Sequence, residues 1–394
     1  MISTINRIWI TIKNIIVFFV GILVGKTNKV ILLGAWMGEK FADNPRFLFQ
    51  FLHKNKKELG LYRVIWATRS KKVFEQLNDK GYECVLVGTV KSFYWHCKAG
   101  IHIICNMQVD SGEYKSDIDS SLSAGARKIQ LWHGNGIKCV PGSSGSYNTI
   151  RKWLKRLSTQ GYWYVGNYYF VCKSDIDFDF FERKFSTPRN MCIDSAYPRT
   201  CTCLEYLDEE NEVLKIIKKY HKTILFLPTF RKDYKNYVHP LENEDLLEYI
   251  EKNNIIWIEK PHSADRNSQT IRKIDSPNVL SLGSEFDINV LMPLIDLLVT
   301  DYSSAMLDAL FFRKQIIYYV PDYEYYIKDD RGFLIDYDSV CITPKLLDCK
   351  DMPNAIDCAL KILSYDEKSE NIRRLFWKHP EWSYAEIWNT LTQI

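Results

Sequence analysis

The sequence predicts an α/β protein made of two doubly wound domains, and three observations support this class. The chain has 394 residues, more than one compact hydrophobic core usually serves. Short, nearly continuous apolar runs alternate with amphipathic segments, which is typical of a parallel sheet covered by helices on both faces. The alternation pauses near residue 200 and then resumes, so we expect Rossmann-like domains over 28–200 and 201–394 with a cleft between them.

The predicted first domain opens on the strand "VILLGAW" at residues 30–36. Asn44 is placed to cap the helix that follows, and Pro45 suits the first turn of that helix. The later strands read YRVIWAT, YECVLVG, IHIIC and KIQLWHG, and the helices between them read KKVFEQLNDKG and VKSFYWHCKAG. This order predicts a parallel sheet.

The predicted second domain repeats the pattern. Its strands read KTILFLPTF, NIIWIEKPH, NVLSLG, LIDLLVT and QIIYYV, with helices LEYLDEENEVLKIIKKY, LENEDLLEYIEKN and about 303–312 among them. Ligands of open α/β sheets bind beyond the carboxyl ends of the strands. We therefore expect the strand ends of both domains to face the cleft.

The N-terminal segment is strongly apolar over residues 8–25, and its first half places polar side chains on one helical face. We predict a membrane-associating helix over 1–27 that lies in the cytoplasmic leaflet. Two alternatives remain open: a membrane-spanning helix, for which the length is borderline, and a buried core helix. The run ends in "GKTNK", not in the small residues of a cleaved signal peptide.

A second segment suits a membrane interface. The loop "PGSSGSYN" is followed by "TIRKWLKRLSTQGYWYVGNYYF", which mixes basic side chains with tryptophan and tyrosine. We predict a membrane-facing insertion at about 141–170. The alternative is an ordinary surface helix that packs its aromatic side chains on the core.

Composition argues against two classes of protein. The net charge of +4 arises from 52 basic and 48 acidic residues, without the basic surplus of a nucleic-acid-binding protein. The 11 cysteines are irregularly spaced and include no Cys-x-x-Cys pair, which indicates reduced thiols in the cytosol and no structural metal site.

The stretch "TDYSSAMLDAL" places polar groups at the end of a predicted strand. Asp301 follows the strand, and Ser303 and Ser304 open a helix, whose N–H groups and positive dipole end suit a phosphate. Asp308 lies on the same face as Ser304, within reach of a ribose diol. The alternative is that Ser303 only caps the helix.

Three further clusters follow predicted strands. Lys260 and His262 flank a proline in "IEKPHSADR", a pairing that suits a pyrophosphate. Arg231 in "LPTFRKD" has the geometry for a bidentate phosphate contact, and Arg199 lies in "DSAYPRT" near the domain junction. The sequence carries no P-loop, Gly-x-Gly-x-x-Gly fingerprint or Asp-x-Asp metal motif.

These clusters, together with "QLWHGNGIK", occur in a characteristic order. The elements are LWHGNGIK, SAYPRT, LPTFRKD, KPHS, TDYSSAMLDAL with IIYYVPDYEYY, and DRGFLID. They resemble the CDP-glycerol glycerophosphotransferase family, which includes the teichoic-acid primases and polymerases, and the resemblance runs from about residue 30 to 340. The resemblance implies a two-domain GT-B-like arrangement, a CDP-glycerol or CDP-ribitol donor, a lipid-linked glycan acceptor at a membrane, and no catalytic metal or other cofactor.

The resemblance also implies roles for individual residues. His133 is the expected catalytic base, with a core histidine bonded to a carbonyl as the alternative. His262 is expected to stabilise charge on the departing CMP. The donor-side residues are then Arg231, Lys260, Asp301, Ser303, Ser304, Asp308 and Arg331, and the acceptor-side or loop residues are Gly134, Gly136, Lys138 and Arg199.

The predicted function is transfer of a polyol phosphate, glycerol phosphate by default, from the CDP-linked donor to an acceptor hydroxyl with release of CMP. We expect it at the cytoplasmic face of the plasma membrane, in teichoic acid, capsule or surface polysaccharide synthesis. Two alternatives remain: a GT-B glycosyltransferase that uses a nucleotide sugar, and a non-catalytic nucleotide-binding scaffold. The polyol, the acceptor and the number of units added stay open, and a homo-oligomer is compatible with the sequence.

Overall fold

The computed structural model describes residues 4–110, 113–134, 168–185, 187–201, 211–229, 231, 237–261, 274–326, 333 and 335–393. The chain forms two compact units. The first contains Met1–His133, Gly142–Thr202 and Glu381–Ile394. The second contains Gly134–Pro141 and Cys203–Pro380.

The first unit is built on a parallel sheet that has seven strands in the part of the chain described. Its strands are β1 (Thr27–Leu33), β2 (Arg63–Thr68), β3 (Cys84–Leu86), β4 (Ala99–Ile104), β7 (Arg127–Gln130), β8 (Tyr168–Cys172) and β9 (Cys192–Asp194). They lie in the order β3-β2-β1-β4-β7-β8-β9. A separate antiparallel hairpin joins β5 (Met107–Asp110) to β6 (Glu113–Ser116).

Helices cover this sheet, and capping side chains fix where two of them begin. The helices are α1 (Thr4–Val24), α2 (Asp43–Lys54), α3 (Lys71–Asp79), α4 (Val90–Lys98) and α5 (Asp175–Phe185). Ser70 accepts a hydrogen bond from the Val73 N–H at the start of α3, and Thr89 does the same for Ser92 at the start of α4.

The second unit has its own parallel sheet, of six strands within the described ranges. The strands are β10 (Lys222–Leu227), β11 (Ile255–Glu259), β12 (Val279–Ser281), β13 (Leu297–Thr300), β14 (Gln315–Tyr319) and β15 (Lys345–Leu346), in the order β12-β11-β10-β13-β14-β15. The helices are α6 (Glu212–Ile217), α7 (Glu244–Lys252), α8 (Ala305–Phe311), α9 (Met352–Lys361) and α10 (Glu367–Phe376).

The predicted α/β class with two doubly wound parallel sheets is confirmed. The strands are apolar along their length because both faces are covered; β11, for example, is buried throughout. In each sheet the strand order reverses once, between β1 and β4 and between β10 and β13. Ligands of such sheets bind beyond the strand ends at this reversal.

The end of the chain differs from the predicted division, which gave all of 201–394 to the second domain. The last helix, α11 (Tyr384–Thr392), belongs to the first unit. The Tyr384 ring stacks on Phe51 of α2, with ring centroids 5.4 Å apart. Arg127 donates a hydrogen bond to the Thr392 carbonyl at 2.9 Å. Each contact joins residues at least 265 positions apart in the sequence, so local sequence patterns could not predict it.

The predicted N-terminal helix is present as α1. Val17 packs in a small core with Cys97 and Leu122. Another face of α1 carries apolar side chains exposed to solvent: Ile8, Trp9, Ile12, Ile15, Ile16, Phe19 and Leu23. Among the helices that the structure describes, none is long and apolar enough to cross a membrane.

Most of the predicted membrane-facing insertion at about 141–170 lies outside the described residues, which resume at Tyr168. It therefore stays a prediction. Within the described ranges the cysteines are thiols, with no disulfide between them.

Two buried histidines, His96 in α4 and His102 in β4, have fixed protonation states. His96 Nδ1 donates to the Ser92 carbonyl at 2.7 Å, and Nε2 accepts from the Asp119 N–H at 3.2 Å. His102 Nε2 donates to the His96 carbonyl at 3.1 Å. Burial lowers the pKa of His96 to about 4 and holds the pKa of His102 well below its usual range. Both rings are therefore neutral in the folded protein near neutral pH.

This burial predicts acid sensitivity of the first unit. The unfolded chain protonates histidine below about pH 6.5, whereas folded His96 stays neutral down to about 4. The unfolded state thus binds more protons in this window, and stability falls as the pH drops through it, by on the order of 3 kcal/mol for His96. Urea unfolding between pH 7 and 4 measures this, and His96→Asn should flatten the dependence. An equally steep dependence in the variant would contradict the assignment.

Candidate functional site

His133 lies three residues beyond the end of β7, at the carboxyl edge of the first sheet. Its Nδ1 atom is 2.8 Å from the carbonyl oxygen of Cys105, which follows β4. A carbonyl only accepts, so Nδ1 carries the proton, and in the neutral ring Nε2 carries the lone pair. The imidazole is half-buried against aromatic rings, with centroids 5.5 Å from Trp36 and 4.6 Å from Trp132.

The backbone around His133 is strained. Trp36, Met37, Asp43 and Trp132 have φ angles between 48° and 63°, a left-handed region that non-glycine residues rarely adopt. Such residues cost of order 1–3 kcal/mol each and persist only where surrounding contacts hold them. Their concentration beside one half-buried imidazole supports a functional site here.

Arg199 holds the backbone on which His133 sits. Its Nη1 atom donates to Asp43 Oδ1 at 2.7 Å and to the His133 carbonyl at 3.0 Å. Its backbone N–H donates to Asn44 Oδ1 at 3.1 Å, and Asn44 Nδ2 donates to the Trp132 carbonyl at 2.9 Å. All three side chains are buried. Arg199 was predicted as an acceptor-side or loop residue. In the structure its guanidinium binds the backbone carbonyl of His133.

The sequence predicted Asn44 only as a helix cap and did not single out Asp43. In the structure α2 begins at Asp43, and the residue before it, Ala42, caps the helix without a side-chain hydrogen bond. The available signal was an acidic and an amide side chain, adjacent to each other, shortly after the end of a predicted strand.

Asp117 was also missed, and its carboxylate ties together the segments after β1 and β4. Oδ1 accepts from the Met37 N–H, and Oδ2 accepts from the N–H groups of Cys105 and Asn106, each at 2.7 Å. Burial raises the pKa of Asp117 to about 7, although the three N–H donors oppose this by stabilising the charge. No sequence motif marks this residue.

In the second unit Arg231 is part of a buried ion-pair cluster. Its Nε and Nη2 atoms bind the two oxygens of Asp322, and Nη1 lies 2.8 Å from Asp301 Oδ2. Tyr302 donates to Asp322 Oδ1 at 2.9 Å. Arg231 is 2 % exposed. The predicted bidentate phosphate contact does not fit this placement, because the guanidinium fork already grips a carboxylate. Asp322, 91 residues away, was not predicted.

The other donor-side residues lie around the ends of β10, β11 and β13. Asp301 Oδ1 accepts from the Thr229 N–H at 2.9 Å, so this carboxylate joins the ends of β10 and β13. Ser303 Oγ accepts from the Ala305 N–H at 3.3 Å, whereas Ser304, the residue directly before α8, caps the helix without a side-chain hydrogen bond. Lys260 follows β11 and is half-buried.

Two further predicted residues, Asp308 and Gly134, also lie in the second unit. Asp308 lies in α8 and is 7 % exposed. Gly134 belongs to the second unit, where a Cβ on it would lie 3.6 Å from Ser304 Oγ. That is ordinary contact distance, so the glycine is close to the predicted serine pair.

Four predicted residues, Gly136, Lys138, His262 and Arg331, lie outside the described residues. Their roles stay predictions. Among the residues that are described, no group of three or more His, Cys, Asp or Glu side chains is arranged to hold a metal ion.

We expect substitution of Arg231 to lower the free energy of unfolding. Arg231→Lys removes the two-pronged contact and leaves Asp322 and Asp301 buried with one point charge, which we expect to cost about 3–5 kcal/mol. The matched control is Arg313→Lys, since Arg313 makes an exposed pair with Glu370 and should lose at most about 1 kcal/mol. Urea unfolding of both variants measures this. Equal, small losses would show that Arg231 is not a structural residue.

Comparisons with known proteins agree with this architecture. The family model described as CDP-glycerol:poly(glycerophosphate) glycerophosphotransferase matches residues 16–381. A teichoic acid poly(glycerol phosphate) polymerase of Bacillus spizizenii is 25 % identical over 93 % of this chain and 91 % of its own length. The teichoic acid ribitol-phosphate polymerase TarL of Staphylococcus aureus is 28 % identical over 54 % of this chain, which matches 38 % of that polymerase.

A solved structure of the wall teichoic acid polymerase TagF has the same fold. It superposes with a TM-score of 0.68 at 16 % identity and covers 99 % of both chains. The family model spans most of the chain, including every described residue of the His133 and Arg231 clusters. The protein therefore belongs to the CDP-glycerol:poly(glycerophosphate) glycerophosphotransferase family.

Proposed function

We propose that this protein transfers a polyol phosphate from a CDP-linked donor to a hydroxyl group of an acceptor and releases CMP, with His133 as the general base. One observation carries the proposal: in a chain of this family, the Cys105 carbonyl fixes the proton of His133 on Nδ1. Nε2 is then the nitrogen that accepts a proton, as a general base requires near neutral pH.

In the proposed step, the acceptor hydroxyl oxygen forms a bond to the β-phosphorus of the donor while His133 Nε2 takes the hydroxyl proton. The bond between the β-phosphorus and the oxygen that bridges to the α-phosphorus breaks, and CMP leaves with that electron pair. Charge that develops on CMP needs donors, and His262 with the N–H groups at Ser303 and Ser304 remains our candidate set.

The surroundings of His133 support this role. Trp36 and Trp132 pack on the ring and limit its rotation, while Arg199 holds its backbone carbonyl at 3.0 Å. A base held this way needs little reorganisation when the hydroxyl arrives. Arg231 then contributes indirectly, because it stabilises Asp301 and with it the ends of β10 and β13.

We propose a CDP-linked polyol as the class of donor. The relatives named above include a glycerol phosphate and a ribitol phosphate polymerase, so we propose CDP-glycerol first and CDP-ribitol second. We propose a lipid-linked glycan as acceptor and no metal or other cofactor. The protein would act at the cytoplasmic face of the plasma membrane.

The direct test is CMP release from CDP-glycerol, and then CDP-ribitol, by purified protein in detergent with a membrane lipid extract. We expect His133→Ala to lower kcat by about a hundredfold to ten-thousandfold. His221→Ala is the matched control, since His221 is exposed in the second unit and should keep the wild-type rate.

Full activity of His133→Ala would remove the histidine from the mechanism while leaving the reaction class. Acceptor-dependent release of a nucleoside diphosphate from a nucleotide sugar, with no CMP from either CDP-polyol, would instead support the glycosyltransferase alternative. Binding of the donor without turnover of any acceptor would favour the scaffold.

We propose that α1 contacts the membrane surface through its exposed apolar face. Burying an apolar side chain is worth about 1.5–3 kcal/mol. Ile16→Ser with Leu23→Ser should therefore lower partitioning onto anionic lipid vesicles at least about tenfold in co-sedimentation. Leu363→Ser is the control, because Leu363 is exposed in the second unit. Equal partitioning of both variants would rule out this face.

A further inference from the structure

A single peptide group connects Asp117 to His133. The N–H of Asn106 donates to Asp117 Oδ2 at 2.7 Å. The carbonyl of Cys105, which belongs to the same peptide group, accepts from His133 Nδ1 at 2.8 Å. The carboxylate and the imidazole are thus joined by two hydrogen bonds through one planar, polarisable amide.

The surrounding backbone holds the Asp117 carboxylate in a fixed position. Asp117 is fully buried, and its carboxylate also accepts hydrogen bonds from the N–H groups of Met37 and Cys105. The backbone of Asp117 packs tightly on Gly34. A Cβ added to Gly34 would lie only 2.8 Å from the backbone carbonyl oxygen of Asp117. Arg69 Nη2 donates to the carbonyl of the next residue, Ile118, at 3.3 Å.

We propose that Asp117 is a positioning residue for the transfer reaction and acts on His133 through the Cys105–Asn106 peptide. The three N–H donors to Asp117 oppose the effect of burial and stabilise its ionised form. In that form its negative charge draws the Asn106 N–H and makes the Cys105 carbonyl a stronger acceptor. That carbonyl keeps the proton on Nδ1 and stabilises the imidazolium that forms when Nε2 takes a second proton. Carboxylates that contact a catalytic imidazole directly perform this task in other enzymes. This inference rests on the proposed role of His133 as the base.

Other charged groups near the ring are arranged differently. Arg199 approaches the backbone carbonyl of His133 and is paired with Asp43. Lys40 lies over the Trp36 ring, with Nζ 5.3 Å from its centroid. Arg69 donates hydrogen bonds to the backbone carbonyls of Met37 and Ile118. The charge of Asp117 is the one that the Cys105–Asn106 peptide transmits to the imidazole.

The test is Asp117→Asn, which keeps the size of the side chain but removes its charge and one acceptor oxygen. We expect kcat for CMP release to fall about tenfold to a hundredfold with the KM for CDP-glycerol nearly unchanged. A weaker base loses its proton at lower pH, so the acidic limb of the kcat/KM profile should move to lower pH. The control is Asp119→Asn, because Asp119 caps the next turn and asparagine caps equally well.

A double-mutant cycle separates this role from a general loss of structure. In the His133→Ala background, Asp117→Asn should have no further effect on the residual rate, because the group on which it acts is gone. A tenfold or greater further loss would overturn the proposal, as would an unshifted pH profile in the single variant. Activity that survives His133→Ala would instead overturn the proposed base itself, so the two failures are distinguishable.

A measurement on the wild-type protein covers the case in which Asp117→Asn does not fold. Histidine labelled with ¹⁵N reports the tautomer of His133, identified as the signal absent from His133→Ala. We expect the Nδ1–H form near neutral pH, the minor form of a histidine in water. The Nε2–H form would overturn the proposal, because the Cys105 carbonyl would then have no proton to accept.

Discussion

A buried carboxylate at the strand-order reversal of the first sheet is the constraint on which the His133 site depends. Asp117 gathers the N–H groups of Met37, Cys105 and Asn106, so the segments after β1 and β4 cannot move independently. The Cys105 carbonyl fixed in this way sets the orientation of the imidazole. The strained backbone at Met37 is held in place by the same carboxylate, which accepts its N–H.

The second unit uses a related device with a different charge balance. Asp301 also lies at a strand-order reversal and accepts a backbone N–H, from Thr229. Its charge is matched by the buried guanidinium of Arg231, which is in turn shared with Asp322. In the first unit N–H dipoles balance the carboxylate, whereas in the second an ion-pair cluster does. In the second unit one guanidinium faces two carboxylates, so the Thr229 N–H and the Tyr302 hydroxyl help to balance the remaining negative charge.

The fold and the position of the histidine could be predicted because both are local properties of the sequence. Near-continuous apolar strands and their alternation with helices indicated two parallel sheets, and the family resemblance of motifs such as LWHGNGIK singled out His133. The supporting residues could not be predicted in this way. Arg199 meets Asp43 across 156 residues, and Arg231 meets Asp322 across 91. An arginine that follows a strand has the same local sequence pattern whether it binds a phosphate of a ligand or a carboxylate of the protein.

The return of the C-terminal helix to the first unit has a consequence for how the protein is made. The surface that receives α11, which includes Phe51 and Arg127, is synthesised early. The helix that covers it follows the whole of Cys203–Pro380. At ribosomal speeds this delay is on the order of ten seconds or more. During that time the nascent first unit exposes an incomplete apolar surface, so its assembly is paced by translation of the second.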